Sequence, residues 1–375
     1  MIKGAIQRLL PHWFDWQTNR KFLVIESDDW GSHYLPSVDR IRILEREGIL
    51  APRRHAYLRL DCLERRADLE GLFSVLSRYT DIHGNPAKFT FNTVMGNPDF
   101  AKISECQFQE YHHQHFFESY REYNGEECQD LWSSAFNEGI MTPQFHAREH
   151  LNVPRWMRDL RDQRRDTLLA FENRFYCLIR SNTPPRNYLT AYWPDSTEDL
   201  AVIEHATAAG LQMFKETFGF ASASFVACCY VLPEEVEACA AKQGVRLIQT
   251  QRRHRVPNVH TGESRIKTRI DGAVNRYGQV YSVRNVEFEP FEKSVGSVVG
   301  NALAQTAAAF RSRRPAIVST HRVNYVSGMA PSHRDRSLRQ LDDFLSAVTK
   351  QWPDVEFLGP DQLCDIMLND KWSKR

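Results

Sequence analysis

The sequence predicts an α/β fold built on parallel strands, and three features carry that expectation. Short apolar runs rich in β-branched and aromatic residues recur along the 375 residues, as strands buried on both faces require. Stretches with apolar residues at helical spacing lie between them, the alternation that builds βαβ units. The first apolar run, Phe22 to Ile25, ends in Asp28-Asp29-Trp30-Gly31, a charged loop at the carboxyl end of a strand, where parallel-strand folds keep their chemistry.

Each element has its own signal. Ser37 as a cap and Gly48 as a stop bracket a helix, and Leu69, Leu72, Val75 and Leu76 place a second over Leu63 to Tyr79. Lys88 to Met95 is the next strand, and Asn97 and Asp99 follow it on the face where substrate would bind. His112, His113 and His115 lie close in sequence without a carboxylate or cysteine at ligand spacing, so they predict a surface or partly buried helix rather than a metal site. Ile140 to Phe145 is a strand delivering His146 to its mouth, and Pro154 starts a helix. Asp195 to Gly219 is the longest amphipathic helix, followed by strand Ala221 to Val231, helix Glu234 to Lys242 and strand Val245 to Gln249. The basic stretch Arg252 to Asp271 predicts a long loop or hairpin over one face. Strand Gln279 to Val283 leads into Arg284-Asn285 and Glu287 to Pro290, another candidate loop of the active face. Helix Ser294 to Arg311 and a strand ending at His321 follow, with Asn324 just beyond; helices Arg334 to Lys350 and Pro360 to Met367 flank a short strand, Val355 to Leu358.

Composition sets the class. Apolar residues at 42% and charged residues at 25% suit a globular protein with a large core, and a net charge of +1 offers no electrostatic footprint for nucleic acid. Eight scattered cysteines, none in a C-x-x-C, predict buried thiols in a reducing compartment. Residues 1–20 carry Ile6, Leu9, Leu10, Trp13, Phe14 and Trp16 among polar residues, predicting an amphipathic segment that packs on the bottom of the main domain, residues 21–375. No run has the length of a secretory core or a bilayer span, which predicts a cytoplasmic protein without a transmembrane segment.

The chemistry starts from repulsion. Two adjacent carboxylates, Asp28 and Asp29, are costly together unless a cation neutralises one of them. His146 and His150, four apart, lie on one face if the chain makes a helical turn there, close enough to hold one ion. With one carboxylate they form a two-nitrogen, one-oxygen set that suits zinc first, and also nickel, cobalt, iron or manganese.

Ser27-Asp28-Asp29, followed much later by His146-Ala147-Arg148-Glu149-His150, resembles the polysaccharide deacetylase family, the NodB-homology (carbohydrate esterase family 4-like) enzymes with a Thr-Phe-Asp-Asp first motif and a His-Ser/Thr-x-x-His second. Pro315 to His321 looks like the family's last strand, which carries Leu-x-His. The resemblance implies a distorted (β/α)7 TIM-like barrel, one domain with insertions. It implies Asp28 as general base, Asp29, His146 and His150 as ligands of one divalent metal ion, and His321 as general acid. The implied activity is hydrolysis of N-acetyl or O-acetyl groups on a carbohydrate or sugar precursor. Ala147 stands in place of the family's hydroxyl residue, and Ser319-Thr320 precede His321. The family's Arg-x-Pro-aromatic motif meets only Val226-Ala227-Cys228-Cys229, so the arginine that orients the base is missing from its place. Arg148, between the histidines, is the candidate to orient Asp28 or another carboxylate in its stead. Trp30, Asn97 and Asn324 complete the candidate substrate contacts, Trp30 as a platform for a sugar face.

Two other readings fit parts of the same pattern. His146-Ala147-Arg148-Glu149-His150 also matches the His-x-x-Glu-His of inverted zinc peptidases, with Glu149 as base on a long helix. A barrel that keeps a sugar or metal site without turnover is the third, motivated by the absent arginine.

Overall fold

The structure, a computed structural model, describes residues 14–50, 57–178, 187–291 and 298–373. Nine parallel strands form one curled sheet: β1 (Lys21–Trp30), β2 (Phe89–Val94), β3 (Met141–Ala147), β4 (Ser224–Val226), β5 (Leu247–Thr250), β6 (Val280–Val283), β7 (Val286–Glu287), β8 (Ala316–His321) and β9 (Val355–Phe357). The order is β6-β5-β4-β3-β2-β1-β8-β7, with β9 pairing the amino-terminal part of β1. This is the distorted (β/α) barrel expected, with two strands more than the seven anticipated.

The curl is closed by the chain itself. β6 and β7 sit at opposite ends of the strand order, yet only Arg284 and Asn285 separate them. Three Cα steps span at most about 11 Å, so the two edges must approach within that distance. Arg284 N–H donates to the Thr250 carbonyl on β5 at 2.9 Å, and Asn285 N–H donates to Ile317 O on β8 at 3.0 Å. The Asn285 side chain adds a further rung, accepting from Ile317 N–H at 2.9 Å and donating to Pro315 O at 2.8 Å.

Strand alternation sorts the core into layers. Leu23, Ile25, Phe89, Phe91, Phe145, Phe225 and Ile248 face outward and pack with Leu69, Leu72, Ile203, Leu211, Phe214 and Phe344 of the surrounding helices. Phe22 and Val24 face inward at the amino end, where Val280, Ile317, Trp16, Leu363 and Met367 seal the barrel floor. Residues 1–13 lie outside the described residues, so of the amphipathic N-terminal segment the fold shows only its last part, with Trp16 in this floor. Above it the interior turns polar: Glu26, Asp28, Asn92, Gln144, Ser224 and Gln249 are all buried. A barrel of this kind ordinarily fills its middle with aliphatic side chains; here the middle is a hydrogen-bonded scaffold for the top.

The helices follow the sequence signals, the early ones with shorter bounds and the last two with longer ones, Pro331–Gln351 and Pro360–Ser373. Ser37 caps Val38–Arg46 by accepting from Arg40 N–H, and Ser196 caps the long helix Thr197–Phe218, which ends on left-handed Gly219. The start of the helix anticipated from Ser294 lies outside the described residues, and Val298–Arg311 is helical. One expectation changes: His113–His115 is a short strand paired antiparallel with Gly96–Pro98, not a helix. The basic stretch takes the hairpin form of its two expected forms, Arg253–Asn258 paired with Glu263–Thr268. Among the described residues no helix is long and apolar enough to cross a membrane.

The segment after β1 is locked from beneath by a buried ion cluster. Arg322, with no exposed surface, bonds Asp61 and Glu64, each at 2.9 Å, and the Ser32 carbonyl. Glu64 in turn accepts from Gly31 N–H at 2.8 Å and from the Tyr120 hydroxyl at 2.5 Å. Gly31 is required here, since φ is +81° and an added Cβ would lie 2.8 Å from the Val94 carbonyl oxygen. Removing one member strands buried charge, so Arg322→Met should lower unfolding free energy by about 3–5 kcal/mol in urea titrations. Lys21→Met, which breaks a surface pair with Asp354, should cost less than about 1 kcal/mol.

Candidate active site

The site grows from an irregularity in β1. Strand pairing with β2 shifts register between Ser27 and Trp30, and Asp29 has φ +77°. A bulge of this type re-aims side chains. Asp28 faces into the barrel by regular alternation, and the bulge turns Asp29 to the mouth as well. It then sends Trp30 outward onto Phe91, with ring centroids 3.7 Å apart. The two carboxylates therefore belong to the strand's end rather than to the loop after it.

Asp28 is clamped from the barrel seam. Arg284 Nη1 and Nη2 donate to its two oxygens at 2.7 Å each, and Asn92 Nδ2 donates at 2.7 Å. Arg284 is itself held by Glu26 at 2.7 Å, the Tyr230 hydroxyl at 2.9 Å and Gln249 Oε1 at 3.1 Å. Gln249 continues through Ser224 to Gln144, which lines up the barrel's polar middle behind the clamp. Burial alone would push the Asp28 carboxyl upward, but the charge and hydrogen bonds of Arg284 outweigh it and hold Asp28 below the usual carboxylate range. Glu26, fully buried on the far side of the same guanidinium, is pushed up to about 7 by desolvation that Arg284 only partly offsets.

Asp29 meets the two histidines. Its Oδ1 lies 3.4 Å from Nε2 of His146 and 3.4 Å from Nε2 of His150. His146 Nδ1 donates to the Val226 carbonyl at 2.8 Å, which fixes the tautomer and leaves the Nε2 lone pair directed at Asp29. Zinc bond lengths of 2.0–2.2 Å at tetrahedral angles predict nitrogen–oxygen edges of about 3.4 Å. The two edges to Asp29 match that spacing, while the donors that all lie within 4.8 Å of one another are those of His146, His150 and Cys228. His150, buried, is pushed down to about 4 by desolvation, which favours the neutral imidazole that ligation needs. The pair is not carried on a helix: His146 is the penultimate residue of β3, and His150 sits in the bend before the helix Val153–Arg161.

His321 stands on the other side of Asp28, its register neighbour across β1 and β8, with Nε2 3.7 Å from Asp28 Oδ2. Its Nδ1 bonds Glu289 Oε1 at 2.5 Å, and Asn324 Nδ2 holds the second Glu289 oxygen at 2.7 Å. Desolvation opposes the charge on His321, but Glu289, with Asp28 adding, overrides it and raises the imidazole to about 10. A cavity of about 420 Å³ opens beside it, lined among others by Tyr230, Gln251, Arg284, Glu287, Gln305 and His321.

Several candidate substrate contacts lie elsewhere. Trp30 is fully buried, stacked on Phe91 and bonded through Nε1 to Ser27, so no ring face is left for a sugar. Asn97 is consumed in fastening the segment after β1, accepting from His33 N–H and donating to Gly31 O and Ser119. Arg148 bonds Glu149 at 2.5 Å, not Asp28, so it takes the second of the two partners envisaged for it. Asn324 acts through Glu289. Glu149 is engaged with Arg148, and the long helix that an inverted peptidase site needs is not formed around His146 and His150. Two contributors escaped sequence reasoning as site residues, Arg284 and Glu289. Their signal was positional: both lie on the stretch following β6, flagged as an active-face loop without a partner to assign.

No protein-family model and no curated protein sequence matches the chain. Among solved structures it is similar to a candidate glycoside hydrolase/deacetylase from Parabacteroides distasonis, at 8% identity and a TM-score of 0.52, over 94% of this chain and 72% of that one. A candidate polysaccharide deacetylase from Mycobacterium smegmatis aligns at 12% identity and a TM-score of 0.45, over 95% and 93% of the two chains. A family 4 carbohydrate esterase from Streptomyces lividans in complex with acetate aligns at 9% identity and a TM-score of 0.36, over 89% and 90%. The likeness to the Parabacteroides protein shows the fold: the chain is a distorted (β/α) barrel of the kind that protein has.

Proposed function

We propose that this protein is a metal-dependent deacetylase that hydrolyses N-acetyl or O-acetyl groups on a carbohydrate or sugar precursor. The observation that carries the reading is the pairing of an arginine-clamped carboxylate, Asp28, with a neighbouring Asp29, His146 and His150 set at ligand spacing. Asp29, His146 and His150 would hold a divalent ion, which would supply Lewis-acid polarisation of an acetyl carbonyl and a more acidic water. Asp28 accepts the proton of the attacking water, and Arg284 keeps that carboxylate ionised and turned toward the mouth. His321, kept protonated by Glu289, gives its proton to the departing amine or alkoxide, a poor leaving group without it. The cavity beside His321 is large enough for a sugar ring and its lining offers hydroxyl, amide, carboxylate and guanidinium partners. An arginine on the base, whose absence favoured a non-catalytic barrel, comes instead from the link between β6 and β7, so that reading loses its motive.

Purified protein should release acetate from acetylated chitooligosaccharides or acetylated sugar esters, and a chelator should stop the release. No acetate from any acetylated sugar, or release that ignores the chelator, would end the proposal. Asp28→Asn should lower turnover by about 10²–10⁴-fold while metal content stays the same. Arg284→Met should cost about 10–100-fold, again with metal retained. His321→Gln should lose activity on N-acetyl sugars yet keep most of it on nitrophenyl acetate, whose leaving group departs unprotonated; equal losses on both would remove the acid role.

A further inference from the structure

Behind the clamped base lies a second buried carboxyl group with a poorer set of partners. Glu26 faces the barrel interior two residues before Asp28, and none of its surface is exposed. Its Oε2 accepts from Arg284 Nε at 2.7 Å, while Asp28 accepts from both terminal nitrogens of the same guanidinium and from Asn92. Three donors therefore serve Asp28, and one serves Glu26. The other Glu26 oxygen, Oε1, meets no hydrogen-bond partner among the described residues. The charged groups acting on Glu26 are Arg284, from the link after β6, and Asp28, from its own strand. Its register neighbours on β2 and β8, Thr90 and Ser319, are uncharged, as are Gln249 and Tyr230, which share the guanidinium with it.

One cation cannot balance two carboxylates buried inside a barrel. Where two acids share such a place, one of them keeps its proton, and the one with fewer donors loses least by doing so. A carboxyl group that accepts a single hydrogen bond through one oxygen matches the neutral acid, whose carbonyl oxygen accepts and whose hydroxyl carries the proton. An oxygen left unmet is also less costly on a neutral group than on an anion. Desolvation acts in the same direction, pushing Glu26 up to about 7 against the pull of Arg284. We propose that Glu26 is a positioning residue that works in its protonated form, fixing Arg284 through Nε while leaving the charge of the guanidinium to Asp28. The proton on Glu26 follows from the scaffold alone, and its consequence for turnover rests on the proposed role of Asp28. Once Glu26 ionises, one guanidinium is divided between two anions.

Glu26→Gln tests the assignment, because the amide keeps an acceptor for Arg284 Nε and removes the titration. A carboxyl raised from the ordinary glutamate value of 4.5 to about 7 favours the folded protein at low pH and loses that advantage as pH rises through this window. In urea titrations the ratio of the unfolding constants of wild type and Glu26→Gln should therefore change by about 10²-fold across it, with the variant gaining as pH rises. Infrared spectra of full-length wild type at about pH 6 should show a protonated-carboxyl stretch, part of which is lost in Glu26→Gln. Glu26→Leu should lower kcat by about 10–100-fold with KM and metal content kept, Glu26→Gln should rescue most of that loss, and Glu26→Leu added to Arg284→Met should cost nothing further. Wild type without the protonated-carboxyl band, a stability ratio that ignores pH, or losses that add in the double variant overturn the proposal. Wild type that shows the band and the pH-dependent ratio but releases no acetate upholds the proton on Glu26 and overturns the deacetylase reading.

Discussion

One backbone irregularity organises the upper half of this barrel. Adjacent residues on a regular strand point to opposite faces, so Asp28 and Asp29 would serve different sides of the sheet. The bulge at Asp29, with its φ of +77°, places both carboxylates at the mouth. The conformation is unfavourable for a residue with a Cβ, and the buried ion cluster around Arg322 together with the close packing at Gly31 holds the segment that follows it. The same bulge turns Trp30 into the outer core, where it packs on Phe91 near Trp132. Stability and chemistry are thus drawn from one local distortion.

The seam of the barrel supplies what the bulge needs. Arg284 lies where the chain passes from one sheet edge to the other, so its backbone closes the ring while its guanidinium crosses the interior to Asp28. Burying this cation demands partners on every side, and Glu26, Asp28, Tyr230 and Gln249 provide them. That requirement explains a polar middle in a barrel whose floor and outer layer are apolar. A hydrophobic filling would be easier to stabilise; it would leave Asp28 without a fixed direction or a fixed charge.

Around Asp28 the titratable groups are separated by environment. Arg284 holds one carboxylate down, desolvation keeps His150 neutral, and Glu289 keeps His321 charged. Three groups within one mouth thereby take the protonation states that the proposed roles of base, ligand and acid require. Two of these states have a side-chain partner that can be removed singly, Arg284 on Asp28 and Glu289 on His321. The polar cavity opens next to His321, the side on which the proposed reaction would place the leaving group.

The sequence by itself determined the alternation of strands and helices, hence the parallel α/β class, because apolar periodicity and caps are local properties. It also singled out Asp28, Asp29, His146, His150 and His321 together, because their resemblance to a known pattern survives in short contiguous motifs. Tertiary structure alone decided that Arg284, in the link between β6 and β7 and more than two hundred residues after Asp28, reaches that carboxylate. It decided too that Arg148 faces Glu149, that Trp30 is core, and that His146 and His150 meet Asp29 from a strand end and a bend. Those outcomes depend on bulge, register and seam, which join residues distant in the chain, and no local pattern encodes which distant side chain will arrive.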